Sequence, residues 1–137
     1  MRRVILLLSV ALAAPSMSAA QQPLRNVAES ARAALQRKDL EGLLRSADRI
    51  QLHLPTAQPS GAVGPAQAEA ALRTLLGRSH EERVVVSRFR EVGGGQGYVE
   101  LRREFRPVGG GEARHQQVLL RYRRAEQGWV LVEVRVF

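Results

Sequence analysis

The chain has 137 residues, a formal net charge of +8 and no cysteine. That length suits one domain able to bury a core without staples. The missing cysteine excludes a disulfide framework and a lipid-anchored lipoprotein of the bacterial kind.

The first twenty residues are expected to be a targeting segment. Arg2 and Arg3 form a short basic region, and Val4 to Ala14 is apolar apart from Ser9. Ser18-Ala19-Ala20 offers small residues at a cleavage site, so Gln21 is the expected mature start. A membrane anchor is the alternative, but the run ends at Pro15, short of the roughly 20 residues a bilayer span needs. The expected product is therefore exported to the periplasm or beyond as one domain, 21–137, with no membrane span. Its charge is uneven. Residues 83–137 hold eleven basic and six acidic side chains, net +5, against eight and seven in 21–82, net +1. Lys38 is the only lysine among the 21 basic residues. Codon bias toward arginine is the plainer reading of this excess. The sharper alternative is a basic face for an anionic partner, since guanidinium pairs bidentately with carboxylate and phosphate.

In chain order, Leu24, Val27, Ala28, Ala31, Ala34 and Leu35 recur at helical spacing. Asp39 is placed to cap a second, short helix that buries Leu40, Leu43, Leu44 and Ala47. An alternating strand follows over 49–54, then a Pro- and Gly-rich loop from Thr56 to Gly64. Pro65 opens a third helix whose apolar stripe is Ala68, Ala71, Leu72, Leu75 and Leu76, with Gly77 closing it. Four strands follow, about 83–92, 97–106, 114–124 and 129–137, joined by glycine-bearing turns. In the last, strict alternation puts Val130, Val132, Val134 and Val136 on one face and Trp129, Leu131, Glu133, Arg135 and Phe137 on the other.

This order is α+β: N-terminal helices packed on a curved, mainly antiparallel five-stranded sheet. The segment Lys38-Asp39-Leu40-Glu41-Gly42-Leu43-Leu44, the strand 50–54, the helix 67–76 and the ending 128–136 carry a likeness. Through them the chain resembles the nuclear transport factor 2-like (cystatin-like cone) superfamily, and within it a family of small exported bacterial proteins of unknown function. The resemblance implies a cone with a cavity between sheet and long helix, and frequent dimerisation through the sheet. Its enzymes, of ketosteroid-isomerase and polyketide-cyclase type, need an acid or base aimed into that cavity.

Few residues meet that requirement. Alternation sets His53 and His115 on the wet face and leaves His80 in a polar loop. Asp48 and Tyr122 remain as acid–base candidates for an isomerase- or cyclase-like enzyme. A pocket would be lined by Phe89, Val99, Leu101, Phe105, Val118, Leu120, Tyr122, Val132 and Val134, with Asp48 at its margin. That lining is apolar and serves a filled core as easily as a ligand site. Three histidines without cysteine give no metal-ligand spacing, and no cofactor is implied. On the wet face, Arg88, Arg102, Arg121, Arg123 and Arg135 form an anion-binding candidate, while Leu119, Leu131, Trp129 and Phe137 suggest a homodimer surface. Six aromatics and interleaved glutamates disfavour nucleic acid. The reading is an exported, non-enzymatic module for a small apolar ligand or a protein partner.

Overall fold

The computed structural model describes residues 22–55, 57–58 and 61–137. The expected targeting segment and cleavage site lie outside the described residues. The elements run α1 (Leu24–Gln36), α2 (Leu40–Leu43), β1 (Gln51–His53), α3 (Pro65–Leu76), β2 (Ser79–Val92), β3 (Gln96–Pro107), β4 (Arg114–Ala125) and β5 (Gly128–Val136). One five-stranded sheet has the order β1-β5-β4-β3-β2, with β1 parallel to β5 and every other pair antiparallel. The expected α+β architecture is observed.

The α1 stripe of Leu24, Ala28, Ala31, Ala34 and Leu35 is buried against the sheet. Small residues let the helix lie close. A Cβ on Gly97 of β3 would come within 3.0 Å of both Leu24 methyls and 3.1 Å of the Trp129 ring. The helix ends at Lys38, a non-glycine residue with φ 56°, and Asp39 N–H closes back on the Ala34 carbonyl at 2.8 Å. Asp39 Oδ1 then accepts from Gly42 N–H at 2.9 Å and starts α2. Ile50 and Val63 exchange both backbone hydrogen bonds at 2.8 Å, tying the strand region to the chain before α3.

Strict alternation fails in β5, and the failure decides which side chains are buried. Arg121 pairs with Glu133 but Tyr122 with Leu131, so Val132 is an extra residue, a β-bulge. Before the bulge the parity inverts. Trp129 and Leu131 are in the core at 7% and 0% exposure, while Val130, also buried at 4%, pairs with the exposed Arg123. The expected outward placement of Trp129 and Leu131 is therefore corrected. Fully burying a side chain such as Leu131 stabilises by about 1.5–3 kcal/mol, which favours the bulge over an unbroken ladder. Two further irregularities, at 82 and 87, bend β2. The strand also starts earlier than expected, at Ser79, which takes His80 out of a loop and into the sheet.

Candidate functional site

A cleft of about 370 Å³ lies between α1, α2 and the β4–β5 hairpin. Val27, Ala31, Leu43, Tyr122 and Trp129 give it apolar surface, and Gln22, Ser30, Arg45, Ser46 and Gln127 supply polar groups. Gly42 lines it too, and a Cβ there would stand 2.3 Å from Asp39 Oδ2, so a larger residue would displace the capping carboxylate. Trp129 is fixed by its Nε1–H donating to the Gln22 carbonyl at 3.2 Å and by the Arg124 guanidinium 4.4 Å above its ring. Ser46 Oγ accepts from Leu131 N–H at 3.1 Å, just before the bulge. Burial pushes the Tyr122 phenol above its ordinary range, so at neutral pH it stays protonated. It can hold a ligand by a hydrogen bond but cannot serve as a base.

The other pocket candidates are dispersed. Val99, Leu101, Val118 and Leu120 are 0–3% exposed and packed into the core cluster. Phe89 is 39% exposed, at a separate hollow beside Pro23 and Leu24. Val132 is the half-buried bulge residue. Asp48 is exposed in the segment after α2 and is not among the cleft residues, which leaves the enzyme alternative without its carboxylate there. Among the described residues, no group of three or more His, Cys, Asp or Glu could hold a metal ion. No described helix is long and apolar enough to cross a membrane.

Reasoning from alternation missed a second constellation. Arg103 and Glu81 are sealed on the inner face of the sheet, their side chains 1% and 3% exposed, with Nη1 and Oε1 2.8 Å apart. Arg103 Nη2 donates to Ser79 Oγ at 2.9 Å, and its guanidinium stacks 4.1 Å over Phe105. Ser79 gives its own proton to the Leu76 carbonyl at 3.1 Å, so its hydroxyl hydrogen is not available to Glu81. The 2.8 Å approach is off the hydrogen-bonding direction. Neither Glu81 oxygen, nor Nε or Nη1 of Arg103, has a hydrogen-bond partner among the described residues. Burial raises the Glu81 pKa against the opposing pull of the Arg103 and Lys38 charges, and burial lowers that of Arg103 against Glu81. Lys38 reaches the same corner, donating to the Leu76 carbonyl at 2.8 Å and to that of Ser79. The visible signals were the lone lysine and the parity of Arg103, which alternates with Leu101 and Phe105.

On the outer face the expected arginines are present, mostly paired. Arg88 meets Glu100 at 3.0 Å, while Arg121 and Arg135 approach Glu133 at 3.8 and 3.7 Å. Arg102 Nη2 lies 3.3 Å from His115 Nδ1, and Arg123 is exposed near the β4–β5 turn. His53 Nε2 is 3.6 Å from Glu133 Oε2 on the same face.

Comparison with solved structures decides the fold. A ketosteroid isomerase-like protein from Erwinia carotovora atroseptica superposes with TM-score 0.66 at 13% identity, covering 82% of this chain and 90% of that one. The chain has the nuclear transport factor 2-like fold. Such a protein of unknown function from Shewanella oneidensis matches with TM-score 0.58 at 11% identity, over 82% and 94% of the two chains. A DUF4783 family protein from Bacteroides ovatus matches with TM-score 0.63 at 13% identity, over 78% and 90%. No protein-family model and no curated protein matches the sequence. At such identities the likeness extends to the nuclear transport factor 2-like fold and not to chemistry.

Proposed function

We propose that this nuclear transport factor 2-like chain is an exported, non-enzymatic binding module that holds a small ligand in the α1–α2 cleft. The carrying observation is the lining: apolar walls, hydroxyl and amide groups, a protonated Tyr122 and one cation, Arg45. That set suits an apolar body with a polar or anionic head and offers no base within reach of it. The buried carboxylate, Glu81, is held in a different part of the interior with Arg103. The isomerase- or cyclase-like alternative would have to work through Tyr122 alone, and its raised pKa argues against proton abstraction.

The test uses 1-anilinonaphthalene-8-sulfonate, an apolar body with an anionic head, and follows its fluorescence. Ser30→Trp, a substitution at an exposed cleft residue, is expected to weaken binding at least about ten-fold, a change of 1.4 kcal/mol. Equal binding by Ser30→Trp and a control Ser87→Trp would remove the cleft from the proposal. Export has its own check: amino-terminal sequencing of the mature protein is expected to begin at Gln21.

A homodimer through the sheet is the second reading. Two of its four apolar residues, Trp129 and Leu131, face the core, so it rests on Leu119 and Phe137. Light scattering tests it, and a monomer at high concentration would end it.

A further inference from the structure

The outer face of the sheet is more basic than its pairings first suggest. Between the Arg83–Glu104 register and the Gln96 end, it carries Arg83, Arg88, Arg90, Arg102, Arg121, Arg123 and Arg135. Only Glu100, Glu104 and Glu133 oppose them, so seven cations against three anions leave a net +4. Two hollows lie on this face along the β2–β3 seam. One, of about 400 Å³, is bounded by Arg83, Arg102, Glu104 and His115 with Val85 beside them. The other, of about 220 Å³, lies among Arg88, Arg90, Tyr98, Glu100 and Leu119.

We propose that this seam docks an extended acidic polypeptide segment, independently of what fills the cleft. Side chains two residues apart in an extended peptide point the same way and recur at about 6.6 Å, the spacing of alternate residues along β2 and β3. Carboxylates at that period meet Arg83 with Arg102 and then Arg88 with Arg90, while the intervening small side chains turn away from the sheet. Guanidinium suits carboxylate because its planar fork bonds both oxygens, and Arg88 keeps donors beyond the one given to Glu100. A second copy of the same face would bring +4 against +4. A phosphate polymer would meet three interspersed glutamates and a single aromatic, Tyr98, on which to stack a base.

The experiment measures fluorescence anisotropy of a labelled alternating Glu-Ala peptide of about 16 residues, long enough to span both hollows in extended form. Binding is expected to fall steeply between low and high salt. The pair Arg88→Glu with Arg102→Glu is expected to weaken it at least about ten-fold, and the equally charged control Arg25→Glu with Arg37→Glu less than about three-fold. The four arginines are exposed, and unchanged urea midpoints would verify that all variants fold. Equal losses in the two pairs would reduce the effect to net charge and overturn the proposal. Oligothymidylate bound as tightly as the peptide, with the same loss in the face variant, would give the surface to nucleic acid instead. A dimer dissolved by Arg88→Glu with Arg102→Glu would give it to a second copy.

Discussion

Arg102 and Arg103 are neighbours in sequence and lie on opposite faces of one strand. Arg102 is exposed among charges, water and a histidine nitrogen. Arg103 is 1% exposed, pressed on Phe105 and facing a carboxylate that forms no hydrogen bond with it. The outer ionic groups cost little to keep, because water and salt screen them, and each pair is worth about 0–1 kcal/mol. For the inner pair, desolvation is several kcal/mol per ion and the attraction need not recover it. The same guanidinium chemistry is thus a solubilising or docking group on one face and a structural liability on the other.

The largest test of that contrast is the register that separates the faces. Replacing Trp129 and Leu131 together by Ala removes the two side chains that the bulge turns inward, whereas deleting Val132, the extra residue, should leave both facing in. Losing two buried side chains of that size should cost more than about 3 kcal/mol or abolish cooperative folding, read by urea denaturation. Next in size, Glu81→Leu should cost about 3–5 kcal/mol, because Arg103 then keeps a buried charge it cannot shed. Arg103→Met should cost less, since Glu81 can take a proton. The double variant should recover most of the loss or exceed the parent, and a double variant as weak as Glu81→Leu would show that the pair is net stabilising.

The pH dependence sharpens the point. Glu81 has its pKa raised in the fold. Its contribution to stability is therefore full below the ordinary carboxylate range and is lost as pH rises through the raised value. Relative to Glu81→Gln, the parent should lose stability from about pH 4.3 upward and level off above the folded pKa. A parent that gains on Glu81→Gln over that range would mean the Arg103 charge outweighs burial. Smallest of all, Arg102→Ala or Arg123→Ala on the outer face should shift stability by within about 0.5 kcal/mol, with little change in 1 M salt.

Most of the fold was legible because its signals are local. The α1 stripe, the Asp39 cap, Pro65 at the start of α3 and the glycine turns each depend on a few adjacent residues, and each was found near its expected place. The arginines of β3, β4 and β5 offered as anion-binding candidates share the outer face, since the ladder between β3 and β4 runs unbroken. The candidate site was much less legible. Its cleft is assembled from α1, α2 and a hairpin some eighty residues later, and periodicity carries no information about such a meeting. Asp48 was reasonable by position and is exposed in the structure, while Glu81 was overlooked because a bulge at 82 sets its direction.

What the amino-acid order determined by itself is the sequence of helices and strands and which stripes of them avoid water. Propensity, capping and period act over one or two turns and need no partner. Tertiary pairing alone decided the parity of β5, the burial of Trp129, Leu131, Glu81 and Arg103, and the existence of the cleft. A bulge arises where the extra residue lets two faces bury more surface than an even register would, and that comparison exists only once the neighbouring strand and the helix above it are in place.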